Sequence, residues 1–410
     1  MNIIGIIAEY NPFHMGHKYQ LTKAKEAYGA DAVIAVISGD FTQRGGPAII
    51  SKYERAKIAL NNGADIVLMM PALFSVSSAE GFAQAGVSAL SHTGIVNSLL
   101  FSAEEDNIDT FLSVAGLLQE ESPEFKEKLQ EGLRNGLSFP VAREQAIRAI
   151  LPMNGYFLSY PNNILGIEYV KALLQRKSDI KPIVMKRMGS DFHDASMPDD
   201  ISEFASAAAV RRVIEKENLS FAKTVLTPAL APDILEPLLK AIEEKTLLLR
   251  DDASLLLHEA LLSTDDYSVF ADCSEDLSNR IRNHRNEFMT YTSFIDILKT
   301  KEMTYSRISR VLMHILLGIR EKDVAAAKEM DYVPYLRVLG FSEKGESIMG
   351  DLKEKTDVPI ITNVKDADKV LTGDALKVFR SDIKAADYYR AMLTNKSGLV
   401  LETEYTRKFR

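Results

Sequence analysis

The chain holds a single cysteine, Cys273, in 410 residues. That excludes an internal disulfide framework and every multi-cysteine zinc site, and it fits a reducing compartment, the cytoplasm by default. An excess of positive charge is missing as well: 49 Lys and Arg against 57 Asp and Glu leave a formal net charge of −8. No global field announces a polyanionic partner, so any RNA contact must come from a local patch. Long apolar runs are absent too. Residues 1–8 have no basic flank and stop at Glu9, while 66–73 contain Pro71 and fall far short of the ~20 residues of a membrane span, so no membrane segment is expected. Neither G-x-x-x-x-G-K-[ST] nor G-x-S-x-G occurs, which removes the usual anchors of P-loop phosphotransfer and α/β-hydrolase chemistry. No internal repeat supports a solenoid.

What is present is an ordinary globular composition, 46% hydrophobic and 26% charged, with length for two or three domains. Short apolar runs at 3–8, 32–37, 66–70 and 95–101 alternate with helix-like stretches, the pattern of a parallel sheet covered on both faces. Ser51 as N-cap and Gly63 as terminator bracket one of the intervening helices. Residues 109–175 read as a helical insertion broken by prolines, and 180–185 as a fifth strand. Strand-like runs then vanish until 358–362. The expectation is an α/β fold: a Rossmann-like domain with a parallel sheet over 1–220, followed by a mainly helical domain over 221–410.

The most informative stretch is Ile7-Ala8-Glu9-Tyr10-Asn11-Pro12-Phe13-His14-Met15-Gly16-His17-Lys18-Tyr19-Gln20. A buried strand runs into a turn, and H-x-G-H falls where the next helix begins. A helix N-terminus offers backbone N–H groups and a positive dipole end to an anion such as a nucleotide phosphate. His14 and His17 lie on one face of a helical turn, and both can donate ring N–H bonds to phosphate oxygens. Gly16 allows a close approach. Chemistry at an α-phosphate needs donors where charge builds up. The competing reading is that both histidines cap or pack the helix start.

This stretch resembles the nucleotidyltransferase superfamily, the α/β fold of adenylyltransferases and class I aminoacyl-tRNA synthetases. The longer string A-E-Y-N-P-F-H-x-G-H, with Ser38-Gly39-Asp40-Phe41-Thr42-Gln43-Arg44-Gly45-Gly46-Pro47-Ala48, resembles the bacterial tRNA(Met) cytidine acetate ligase family. The resemblance implies ATP-dependent activation of acetate as acetyl-adenylate, with magnesium accompanying the nucleotide. Acetyl transfer to the wobble cytidine of elongator tRNA(Met) follows, without acetyl-coenzyme A. It implies that the whole of residues 7–20 binds ATP and that His14, His17 and Asp40 are catalytic. Further ATP contacts are implied at Ser102, where the family reads glycine, at Asn162, with Asn163 as a near alternative, and at Arg187. Ser206 and Arg211 resemble the superfamily's second phosphate motif. Asp40 is equally readable as a capping residue, and Gln43 and Arg44 as facing the acceptor cytidine. No residue is assigned as a metal ligand, and no protein partner is inferred.

Residues 280–320 carry eight Lys and Arg against three Asp and Glu, the local patch that the overall charge required. In 304–319 a buried face at Tyr305, Ile308, Leu312, Ile315 and Ile319 leaves Arg307, Arg310 and His314 on another side. Arg280, Arg282, Lys301, Arg307 and Arg310 are therefore expected to bind tRNA, although a solvated charged face would show the same pattern. Two rival functions stay open: an adenylyltransferase acting on a small phosphorylated cofactor precursor, and a non-catalytic RNA-binding protein.

Overall fold

The computed structural model describes residues 1–151, 157–188, 205–300 and 302–407. Its strands are β1 (Ile3–Ala8), β2 (Ala32–Ser38), β3 (Phe41–Thr42), β4 (Gly46–Pro47), β5 (Ile66–Met70), β6 (Ser98–Ala103), β7 (Lys181–Lys186), β8 (Leu336–Phe341) and β9 (Ile360–Ile361). Seven of them form one sheet in the order β7-β6-β1-β2-β5-β8-β9, and β3 with β4 makes a separate hairpin. The five strands read from the sequence run parallel, in register from Ile3 opposite Ala32 to Ala8 opposite Ile37.

Strands apolar at every position bury both faces, and the two faces divide as a period of two requires. Ile3, Ile7, Ile34, Val36, Ile66 and Leu68 join one core layer, whereas Ile4, Ile6, Val33, Ala35, Ile37 and Val67 join the other. Each such side chain contributes about 1.5–3 kcal/mol by leaving water. The second layer is completed by helices Met15–Glu26, Lys52–Asn61 and Pro232–Glu243. Ser51 caps Lys52–Asn61 by accepting from Glu54 N–H at 3.3 Å, as its sequence indicates.

One strand contradicts the sequence reading. Leu336–Phe341 forms β8, antiparallel to β5, where no strand was expected before residue 358. Arg337 sits inside it, and a charged residue in mid-run hides a strand from any reading by apolar pattern; here it is 2% exposed because an ion-pair partner reaches it. The run at 358–362 shrinks to the two residues of β9. Residues on both sides of position 220 thus share one sheet. The insertion is helical as expected, with Ile108–Glu120, Pro123–Arg134, Phe139–Ile150 and Pro161–Arg176. Among the described residues no helix is long and apolar enough to cross a membrane.

Candidate active site

The chain leaves β1 for β2 on one side and returns, after β5, to β6 on the other. Strand order therefore reverses between β1 and β6, and in open α/β sheets ligands bind in the crevice beyond the carboxyl ends at such a point. The histidine tetrad sits there. His14, extended at φ −146°, is the N-cap of helix Met15–Glu26. Its Nδ1 accepts from Gly16 N–H at 3.0 Å, and His17 Nδ1 accepts from His14 N–H at 3.2 Å. The two rings stack with centroids 3.8 Å apart, and His17 also meets Tyr10 at 4.9 Å and Phe13 at 5.4 Å.

The histidines cap the helix start, and this geometry leaves room for chemistry. An Nδ1 that accepts a backbone N–H bears no proton, so a neutral ring carries it on Nε2, and each histidine keeps one donor free of the cap. Burial pushes His14 well below its ordinary pKa, helped by His17, Arg187 and Arg211, and burial with Arg187 brings His17 down to about 3. Both rings are neutral at pH 7. Two expectations change in detail. Gly16 N–H is spent on His14, so the donors left for a phosphate are chiefly the rings. The space that demands glycine at 16 is filled by His14 itself, whose Cε1 would lie 2.8 Å from an added Cβ.

Two arginines flank the pair. Arg187 follows β7, its N–H bonded to Ala103 O at 2.8 Å, and its buried Nε has no partner among the described residues. Arg211 lies one turn into helix Ala207–Ile214, which Ser206 caps by accepting from Ala209 N–H at 3.1 Å. Its guanidinium donates to Asn11 O at 2.7 Å, so the late motif closes on the first one across 200 residues. Arg187→Ala should raise both histidine pKa values toward 6.5 by removing a neighbouring positive charge; ring-proton titration by NMR reads this. Unchanged titrations would mean that burial alone sets them.

On the β6 side, Ser102 is half-buried opposite Met185. Asn162 donates to Glu104 Oε1 at 2.6 Å. Asn163 is 1% exposed, accepting from Glu104 and Glu105 N–H and donating to Phe157 O, so its side chain pins this loop. Gln20 is also tied down, by a bond to Leu100 O at 3.1 Å.

A profile of the HIGH Nucleotidyl Transferase family matches residues 1–402. The tRNA(Met) cytidine acetate ligase of Acetivibrio thermocellus is 34% identical over 413 residues, 99% of each chain, and that of Clostridium tetani 39% identical over 388 residues, 91% of this chain and 93% of that one. The chain belongs to the tRNA(Met) cytidine acetate ligase family. Two solved structures agree: apo Thermotoga maritima TmcAL, at a TM-score of 0.90 and 31% identity over 99% of this chain and 98% of that one, and the same protein bound with alpha-thio ATP, at 0.86 and 32% over 97% and 96%.

The remaining residues singled out by resemblance to the ligase family are placed differently. Both oxygens of Asp40 are taken by Lys52, one by its N–H at 3.1 Å and one by its buried ammonium. This is a capping role, joined to a buried ion pair with Lys52. Among the described residues no group of three or more His, Cys, Asp or Glu gathers to hold a metal ion.

In the basic segment, Arg280 donates to Leu298 O and Ile297 O, both at 2.7 Å, and so caps the end of helix Tyr291–Leu298. Arg282 is exposed, with Lys301 outside the described residues. Arg307 and Arg310 share Asp272, at 3.6 and 3.5 Å. His314 departs from the expected cationic side: it is 2% exposed, held between Ala271 O and Val76 O, because residues 311–317 are buried all round.

Sequence reasoning missed a second polar centre. Glu404 reaches back from the last described residues to Lys52 Nζ at 2.7 Å, Tyr53 OH at 2.6 Å and Arg337. The buried Arg in an apolar run was the one available signal.

Proposed function

We propose that this chain is an ATP-dependent ligase that forms N4-acetylcytidine at the wobble position of elongator tRNA(Met). What carries the reading is the pair of neutral, mutually capped histidines at the topological switch point of a chain that matches the ligase family over nearly its whole length. In the first step an acetate oxygen attacks the α-phosphorus of ATP and the bond to pyrophosphate breaks. The Nε2–H groups of His14 and His17 bind the α-phosphate oxygens as charge accumulates there, without giving up a proton. Arg187 and Arg211 offset the negative charge of the phosphates, and the main chain at Ser102 and the Asn162 side chain line the nucleoside side of the crevice. In the second step the cytidine N4 attacks the acetyl carbon, the C–O bond to AMP breaks, and N4 sheds one proton to solvent. The amine is a weak nucleophile, so activation of the acyl group and positioning carry this step.

Substrates are ATP, acetate and the tRNA, and the cytoplasm is where all three coincide. The test incubates the protein with radiolabelled acetate, ATP and bacterial tRNA. Label in tRNA and release of AMP are expected; AMP transfer to a small phosphorylated acceptor, with no label in tRNA, would favour the adenylyltransferase instead.

Arg307 and Arg310 are the proposed RNA contacts of the helical region. Replacing both with alanine should weaken tRNA binding and flatten its salt dependence by about 0.7–0.9 of a logarithmic unit per lost phosphate contact. Acetyl-adenylate formation without tRNA should survive. Unchanged affinity and slope would return the two arginines to a solvated face paired with Asp272.

A further inference from the structure

The hairpin of β3 and β4 connects the histidine site to the basic helix Tyr305–Leu317. At one end Gln43 N–H donates to Glu9 Oε1 at 2.7 Å, directly after β1. At the tip Gly45, with φ +67°, packs so tightly on that helix that an added Cβ would lie 2.4 Å from the Ser309 carbonyl carbon. Its carbonyl accepts from Ser309 Oγ at 2.6 Å and Tyr291 OH at 3.0 Å. Arg44 stands between these two anchors.

A segment from the second half of the chain joins them. Leu248 N–H donates to Ile49 O at 2.9 Å, and two residues on, the half-buried Arg250 side chain lies along Gly46, its Cγ 3.1 Å and Nε 3.3 Å from where a Cβ would stand. The Arg250 guanidinium is 5.5 Å from the centroid of Tyr305, the first residue of the helix that carries Arg307 and Arg310. Buried Gln43 Nε2 has no hydrogen-bond partner among the described residues, a donor held at the same place.

We infer that Arg250 and Arg44 hold a phosphate of the acceptor RNA strand beside the histidine site, which makes them positioning residues for acetyl transfer. The inference rests on the ligase reading above. Half-buried guanidinium groups gathered at one point repel one another, and an oxyanion that takes two N–H bonds from a planar fork relieves this. Burial and then Arg44 bring Arg211 down to about 10 against the pull of Glu9, with Arg250 adding to the same side, and at Arg44 the pull of Glu9 exceeds the push of Arg250.

A phosphate of ATP and a phosphate of RNA share this chemistry, and placement favours RNA. Arg44 and Arg250 adjoin Arg211 electrostatically, and Arg250 lies on the far side from the histidines, against the tyrosine that opens the basic helix. An aromatic ring beside a phosphate-binding arginine also suits an unstacked base.

The experiment compares Arg250→Ala, Arg250→Lys and Arg44→Ala with wild type in two assays: acetate-dependent ATP–pyrophosphate exchange without tRNA, and tRNA acetylation at varied tRNA concentration. Exchange within twofold of wild type is expected for all three. The KM for tRNA should rise tenfold or more for Arg250→Ala and Arg44→Ala and recover partly in Arg250→Lys, which keeps the charge and loses the fork. Exchange falling in parallel with acetylation would assign the arginines to the nucleotide or to the fold and overturn the inference. So would unchanged acetylation. Failure of the ligase reading is seen separately, as absence of tRNA acetylation by wild type.

Discussion

Replacing His17 with alanine should abolish acetate-dependent ATP–pyrophosphate exchange, by a factor of about 10²–10³ or more, while leaving the protein folded. The rate effect follows from removing one preorganised donor from the α-phosphate. The structural cost is smaller, because the substitution deletes the acceptor for His14 N–H, 3.2 Å away, and one ring of an aromatic cluster with Tyr10 and Phe13. A lost cap costs about 1 kcal/mol. Circular dichroism and thermal unfolding of the variant check the fold beside the exchange assay, and near-wild-type exchange would remove His17 from catalysis. A pH profile adds a second reading. With His17 at about 3, exchange should show no loss on acidifying through 6.5; a limb there would mean that a ring needed neutral takes up its proton near the ordinary value, so that burial and Arg187 do not hold it down. For stability the sign is the reverse of a salt-bridged histidine. Burial and Arg187 lower the folded pKa, so the unfolded chain binds more protons between 6.5 and about 3, and stability contributed at this site falls as pH drops through that window.

Glu404→Gln should destabilise the protein by about 3–5 kcal/mol, the usual cost of breaking a buried ion pair on one side. The Glu404 side chain is 8% exposed, and those of Lys52 and Arg337 are 2% and 3% exposed. Deleting its charge leaves Arg337 buried within β8 and Lys52 shared only with Asp40, at the start of the helix that covers β2 and β5. Burial alone would raise the Glu404 pKa, yet Lys52 and Arg337 together hold the carboxyl far below its ordinary 4.5. Its contribution is therefore present above pH 4.5 and lost as acid titrates the folded state. Denaturant unfolding of wild type and variant at pH 7 measures the difference, and repetition below pH 4 should show it shrinking. A difference under about 1 kcal/mol at pH 7 would mean that water already reaches the pair.

Much of this site is legible in one dimension because its parts are local. The three central parallel strands announce themselves by runs apolar at every position, since both faces of a covered sheet are dry, and β6 and β7 by runs that are apolar for most of their length. The tetrad identifies itself because His14, Gly16 and His17 act within a single helical turn. The Ser51 and Ser206 caps are equally local. What the sequence could not express is whatever joins distant segments. Whether Asp40 faces a ligand or Lys52, whether Arg280 binds RNA or closes a helix, and whether His314 is exposed or sealed between two carbonyls each depend on which remote element arrives beside them.

The ion pair of Arg337 with Glu404 spans 67 residues, and that of Lys52 with Glu404 spans 352. Neither partner carries a local sign of the other, because Coulomb attraction acts through space and a charge in an apolar run is tolerable only once its partner has been brought there. The sequence alone therefore determined the fold class and the histidine motif at the first helix start. Tertiary structure decided which charges are spent on the fold and which remain for substrate, since burial and pairing are properties of the packed molecule.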